Sequence, residues 1–468
     1  MADHSIEITP IDDQIPLLPQ TKRDEIEEGR KVNPLKEIFV EMFEDLYNSP
    51  IKSRTIFKVN VWLRESNPSA YTPKMVSIGP YHKKNDQLRP MEKYKSLYLR
   101  RFLKRNEGLD MHSCVIELQK LEKEALNCYG DIEDLNIESH KFCKMLLLDG
   151  CFVVEFIREI CGIFPREEDE INTNIGCIYN KILRDLMLLE NQLPFFVLNK
   201  LHDMTKQDDE LPLAIQAVIS FPFFVDLENM IKKNIYEPLI EIATNAGNIK
   251  HLLHAVHILS CHGNPTKTSN DDTMWNIFMP NATELSEAGV RFAKDRNSDG
   301  NKNNNSDMTS LFDIKFDGGL MTIPCFQVVD ETEAFLRNLI AYEQQSYEVQ
   351  PKYFSDFAIF MDHLIDSDKD VNLLRQKGII KHLMGEDKDV SSLFNKIGNG
   401  VTTYSTFYYG KECLRASQHC EKKLNTMIAN LMRNYCSSPW VGASTVAAII
   451  LLLLTTIQTI LAIIGSIK

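Results

Sequence analysis

Five side chains able to bind a metal fall within twelve residues: His251, His254, His257, Cys261 and His262. Spacings of three and four bring imidazoles and a thiol toward one face of a helix, as a zinc site requires. His254, His257 and Cys261 are the candidate ligands. Steps of three drift around a helix by about 60° each, however, and no second Cys/His group lies nearby to complete a tetrahedron. The expectation is no metal and no cofactor, with histidines that are exposed or hydrogen-bonded on a helix. Linear catalytic signatures are absent too: no Gly-x-x-x-x-Gly-Lys-Ser/Thr, Gly-x-Gly-x-x-Gly, His-Glu-x-x-His or Gly-x-Ser-x-Gly. No catalytic residue is assigned and no enzyme is expected. An enzyme whose site draws on His82 and the 251–262 histidines is the alternative.

A second chemistry lies in residues 74–105, where ten bases face only Asp86 and Glu92. A local charge of +8 in a chain of net −13 could meet anionic lipid headgroups, each base contributing about 1 kcal/mol at the surface. Lys83, Lys84, Arg100 and Arg101 are the candidates for such an anionic surface. The same segment could dock an acidic partner or the protein's own acidic arm, or form a solvated helix face. Overall acidity argues against nucleic acid.

The third feature is the tail. Ser437 to Ile467 contains no charged residue, and Ala443 to Ile467 is nearly all apolar. At about 1.5 Å per residue, some 20 such residues cross the hydrocarbon core. Ala443, Leu451, Leu454, Gln458 and Ile467 mark this predicted anchor. Ala448, Thr455 and Ala462 recur every seven residues, as do Leu452, Thr459 and Ser466, and Gln458 adds an amide inside the bilayer. Small and polar residues on one face let helices approach and hydrogen-bond, so self-association in the membrane is a reasonable expectation.

The acidic start, Met1-Ala2-Asp3-His4-Ser5-Ile6-Glu7, has no basic n-region or apolar h-region. A lone C-terminal span then implies tail anchoring. Arg415, Lys422, Lys423 and Arg433 precede it, and only Lys468 follows. The positive-inside bias puts the N-terminal part in the cytosol, at the plasma membrane or endoplasmic reticulum. The 11 cysteines should then be reduced, and the sequons at Asn281 and Asn304 should carry no glycan. Cys436, just before the span, is a candidate for lipidation. The bilayer and an unidentified protein are the expected partners.

These features need elements to position them. Residues 1–32 read as an acidic flexible arm, with eight acids and three bases in the first 30. Residues 33–436 read as a mostly helical domain, and 437–468 as a juxtamembrane segment and anchor. Leu35, Ile38, Phe39, Met42, Phe43 and Leu46 keep helical spacing after Asn33-Pro34. Thr55–Leu63 and Lys74–Ile78 alternate like strands. Helices are predicted over about 91–106, 110–129, 139–161, 175–190, 195–203, 212–219, 223–233 and 247–262. The Asn/Asp/Ser-rich stretch 295–307 reads as a loop. Leu311–Phe316 and Leu320–Val329 read as a strand pair turned by Gly318-Gly319. Helices follow over about 330–345, 353–366, 370–383, 387–398 and 406–435. The fold class is mostly α, with a small accessory β-sheet and one C-terminal transmembrane helix.

Composition fits that reading. The chain of 468 residues is 44% hydrophobic and 25% charged, which excludes a disordered protein, and its 20 Gly and 19 Pro exclude a collagen-like one.

Several segments together resemble one plant family, the domain of unknown function 247 proteins. The most specific are Val76-Ser77-Ile78-Gly79-Pro80-Tyr81-His82 with Leu88-Arg89-Pro90-Met91-Glu92, and Asp185-Leu186-Met187-Leu188-Leu189-Glu190-Asn191-Gln192-Leu193-Pro194-Phe195-Phe196. Leu148-Asp149-Gly150-Cys151, Ala282-Thr283-Glu284-Leu285, Arg337-Asn338-Leu339-Ile340-Ala341-Tyr342-Glu343-Gln344 and Pro439-Trp440 are similar too. The family's early Cys-Ile-x-Arg-Val-Pro is replaced by Thr55-Ile56-Phe57-Lys58-Val59-Asn60. The resemblance implies a plant protein with a helical domain, one C-terminal span and no known enzymatic activity or catalytic residues. Buried Asn, Gln and Asp must be hydrogen-bonded, so these motifs also read as architecture. The combined reading is a membrane-anchored interaction or recognition protein. A peripheral sensor of anionic lipids through residues 74–105 is a further alternative.

Overall fold

The computed structural model describes residues 54–130, 137–162, 178–221, 249–261, 278–295, 310–402, 407–422 and 439–467. The acidic arm, the predicted helices at 33–46 and 223–233, most of the 295–307 loop, the 424–435 stripe and Cys436 lie outside these residues.

The described chain is mostly helical, as expected. It begins with α1 (Val61–Ser66), α2 (Pro90–Lys104), α3 (Met111–Asn127) and α4 (Ser139–Ile160). It continues with α5 (Tyr179–Leu186), α6 (Phe195–Thr205), α7 (Leu213–Ser220) and α8 (Leu252–Cys261). After α9 (Ala282–Glu287) come the strands β1 (Arg291–Lys294), β2 (Lys315–Asp317), β3 (Leu320–Ile323) and β4 (Phe326–Val328). Helices α10 (Thr332–Gln345), α11 (Tyr353–Leu364) and α12 (Asp368–Gln376) lead to β5 (Ile380–His382). Then follow α13 (Asp387–Ile397), α14 (Gly410–Glu421) and α15 (Pro439–Ile467).

Helix α4 is the centre of the N-terminal part. It packs against α2, α3, α6 and α7, so a single apolar stripe would not suffice, and Phe142–Arg158 is buried almost without interruption. Gly150 sets how close α6 comes: a Cβ there would lie 2.4 Å from the Leu201 Cδ1.

Two predicted strands are corrected. Within Thr55–Leu63 the only pairing is an isolated bridge between Ile56 and Tyr129, and the segment ends in α1. Lys74–Ile78 forms no strand, although it alternates like one. Its N–H groups bond to side chains instead. The Asp185 carboxylate accepts from Lys74, Met75 and Val76 (2.9, 2.6 and 3.0 Å), and Asn191 Oδ1 accepts from Ile78 (2.7 Å).

The small sheet has the order β1-β3-β2. Strand β1 runs parallel to β3, and β2 pairs antiparallel with Phe316 opposite Met321. Gly318 and Gly319, both at positive φ, make its two-residue turn. The strand expected to run from Leu320 to Val329 breaks in two, because Pro324 has no N–H for a ladder. Strand β4 instead pairs parallel with β5. The helix expected over 370–383 stops at Gln376: Gly378 takes a positive φ, and the Gly378 and Ile379 N–H groups close the last turn.

Helix α15 holds all five predicted anchor positions. Its stretch Ala447–Ile464 is long and apolar enough to cross a membrane, and none of it is buried against the chain. Thr455, Thr456 and Thr459 turn their hydroxyls back to Leu451, Leu452 and Thr455 carbonyls.

Candidate functional site

Helix α8 places its histidines against one ring. The centroids of His251, His254 and His257 lie 5.1, 5.2 and 5.5 Å from that of Tyr342 on α10. All three imidazoles are buried. His251 Nδ1 accepts the His254 N–H, and His254 Nδ1 accepts the Lys250 N–H, each at 3.1 Å. Burial pulls His251 down to about 3 and His254 to about 2, with nearby positive charge adding to the effect. Both are therefore neutral near pH 7.

His257 and Cys261, one helical turn apart, come together with a residue that spacing alone did not reveal. His257 Nε2 lies 2.9 Å from Glu343 Oε1 and 3.9 Å from Cys261 Sγ. The three donor atoms all fall within 4.8 Å of one another. His254 does not join them. Glu343 lies 86 residues from His257, and only its place in the Ala341-Tyr342-Glu343-Gln344 motif marked it. Its carboxylate also accepts the Phe354 N–H (3.0 Å), the Ser355 N–H and the Ser355 hydroxyl (both 2.8 Å). A carboxylate there satisfies the open amides of the first turn of α11 and suits its positive end.

This trio is not a nucleophilic relay. Glu343 and Cys261 approach the same imidazole nitrogen, whereas a relay needs the acid on one nitrogen and the nucleophile on the other. Burial also pushes the Cys261 thiol well above its usual range, with Glu343 adding to the rise, and the protonated thiol is a poor nucleophile.

A cavity of about 490 Å³ opens beside Tyr342 and His254, lined also by Thr55, Cys128, Phe196 and Lys250. Lys250 forms an ion pair with the more exposed Glu348 (2.8 Å). Burial raises Cys128 to about 11 and lifts Tyr342 as well. The thiol, phenol and imidazole facing this space are therefore all neutral near pH 7. That suits packing or binding better than proton transfer, which needs a group poised near the working pH.

The signature motifs form a continuous hydrogen-bonded network. Gln192 donates to the Leu186 and Leu188 carbonyls (2.7 and 2.8 Å), and Asn191 donates to those of Asp185 and Val76 (2.9 and 3.0 Å). These amides end α5 by capping its open carbonyls. Gln192 Oε1 accepts the Leu253 N–H at 3.1 Å and so reaches α8. Glu190 accepts the Val59 N–H (2.7 Å) and pairs with Arg64. Its Oε2 lies 3.2 Å from His82 Nε2. Burial opposes its charge, but His82, Arg64 and the Val59 amide hold the carboxyl below its usual range. His82 thus joins the network through Glu190, and the structure places His251, His254 and His257 against Tyr342 instead. Asn338 accepts the Leu189 N–H (2.9 Å) and donates to the Ala70 and Ala334 carbonyls (2.9 and 2.8 Å).

The basic segment is partly turned inward. Lys95 is buried and spends its three protons on the Ser77 carbonyl, Glu92 and Asp149 (2.5, 2.6 and 2.7 Å). Arg101 donates to Glu159 at 2.8 Å with its guanidinium 5.1 Å from the Tyr98 ring centre. Arg105 grips both oxygens of Glu155, with distances of 2.5–2.8 Å. Basic residues at the C-terminal end of α2 therefore meet an acidic face of α4. Of the four surface candidates, Lys83, Lys84 and Arg100 are exposed and Arg101 is half-buried in this ion pair.

A family model described as "Plant protein of unknown function" matches residues 56–454. The putative UPF0481 protein At3g02645 of Arabidopsis thaliana is 26% identical over 531 residues, covering 95% of this chain and 96% of that protein. The UPF0481 protein At3g47200 of the same plant is 27% identical over 428 residues, covering 88% and 87%. No solved structure matches the chain.

Proposed function

We propose that this chain, which belongs to the plant domain of unknown function 247 family, is a membrane-tethered interaction protein and not an enzyme. One observation carries the reading: the polar groups of the family signature are engaged within the fold. Asp149, Asp185, Glu190, Asn191 and Gln192 bond to backbone amides, carbonyls or buried cations. A signature used this way builds the fold rather than a reacting centre, and a fold held at a membrane is suited to recognition. Helix α15 supports the tether by its length and lack of charge. Gln458, facing outward in that apolar helix, supports self-association, because a second copy offers a matching amide at the same depth. The bases preceding α15 support a cytosolic placement of the folded domain.

Affinity purification of the tagged full chain from plant membranes in mild detergent tests this reading. A specific protein should be recovered in stoichiometric amount, and its recovery should survive Lys83→Gln and Lys84→Gln. Recovery of lipid-dependent binding alone, lost on those substitutions, would favour a headgroup sensor instead.

A further inference from the structure

We propose that His257 Nε2, Cys261 Sγ and Glu343 Oε1 form a binding site for a zinc ion that joins α8 to the α10–α11 junction. This goes beyond the interaction reading and does not depend on it. His257 and Cys261 lie one turn apart on α8, and Glu343 comes to them from α10. Atoms 2.9 and 3.9 Å apart, with the third pair no farther than 4.8 Å, leave a position at most roughly 2.4 Å from each, next to the zinc–ligand distances of about 2.0–2.3 Å. One thiolate, one imidazole and one carboxylate make a donor set of borderline softness. That set selects zinc over magnesium or calcium, which favour oxygen alone.

The surroundings supply what such a site needs beyond its ligands. The Phe354 N–H, the Ser355 N–H and the Ser355 hydroxyl hold the Glu343 carboxylate in place. Outer-shell donors of this kind orient a ligand toward its metal. On binding, Cys261 releases its proton to solvent and the thiolate bonds the ion. His257 turns the Nε2 lone pair to the metal, with any ring proton on Nδ1. Glu343 Oε1 exchanges the His257 contact for the ion and keeps the Phe354 amide. Thiolate and carboxylate together balance the dication, so the ion and its two anionic ligands sum to zero charge in a buried place. Three protein donors leave the fourth position for water.

Cobalt and zinc titration of the purified full chain in detergent, after treatment with a chelator, tests the site. One equivalent of Co²⁺ should give sulfur-to-cobalt charge-transfer absorption in the near ultraviolet, and one equivalent of Zn²⁺ should abolish it. Cys261→Ser should keep the far-ultraviolet circular dichroism of the parent and lose that absorption. It should also weaken zinc binding by more than the roughly 10–100-fold that loss of an outer-shell partner costs. His257→Gln, whose amide can still donate to Glu343, should give the same loss if the serine variant does not fold. Absence of the charge-transfer band in the parent would overturn the proposal. So would a band of equal strength in Cys261→Ser or His257→Gln.

Discussion

The Asp185 carboxylate oxygen Oδ2 lies 2.6 Å from the Met75 backbone nitrogen and 3.0 Å from that of Val76. One buried side chain therefore does for residues 74–76 what a neighbouring strand would do. Asp185→Ala leaves three amides without their acceptor and should cost about 3–5 kcal/mol. The urea midpoint of the full chain should fall accordingly with an unchanged slope. An unfolding free energy within about 0.5 kcal/mol of the parent would show that water replaces the carboxylate.

Gly79 packs against the other end of the same network. It has φ +74°, and a Cβ there would sit 2.6 Å from the Gln192 carbonyl oxygen. Gly162 has φ +67° with nothing within 4 Å. Both need a left-handed backbone, which costs about 1–2 kcal/mol in any other residue. Only Gly79 adds a backbone clash. Gly79→Ala should therefore destabilise well beyond Gly162→Ala in thermal denaturation, and equal shifts would refute the close approach.

Neutral burial of His251 and His254 makes stability depend on pH. Their folded values, about 3 and about 2, lie below the ordinary 6.5. As pH falls below 6.5 the unfolded chain takes up protons that the folded chain refuses, so stability falls. The slope should steepen from about 0.7 kcal/mol per pH unit for each histidine at pH 6.5 toward about 1.4 at lower pH. Urea midpoints between about pH 6.5 and 5, above the carboxylate range, should show the decline, and His254→Gln should roughly halve it. A midpoint flat over that interval contradicts the burial.

The basic segment separates into two kinds of residue. Arg105→Gln removes one of two arginines from the fully buried Glu155 and should cost about 3 kcal/mol. Lys84→Gln, at an exposed position, should change stability by less than about 0.5 kcal/mol. Paired chemical denaturation measures both, and similar costs would mean that Arg105 is as dispensable as a surface lysine.

Long buried helices were legible in the sequence because burial on most faces leaves an unbroken apolar record, as in α4. The hairpin β2–β3 was legible through Gly318-Gly319. Residues 74–78 were not, since alternation identifies an extended backbone but not the group that receives its hydrogen bonds. Strand β5 was missed because Ile379 and Ile380 continue the apolar period of α12 past the stop at Gly378. Of the metal-capable residues, His257 and Cys261 were visible by helical spacing. Glu343 was hidden by 86 residues of intervening chain, and the drift of His254 around the helix sends it to Tyr342 and the cavity instead.

The tether is the claim on which the interaction reading depends. Flotation of plant microsomes through a density gradient after alkaline carbonate treatment measures it directly. The full chain should float with the lipid, and the chain lacking residues 439–467 should remain at the bottom. A full chain that fails to float, or a shortened chain that floats equally well, would contradict it.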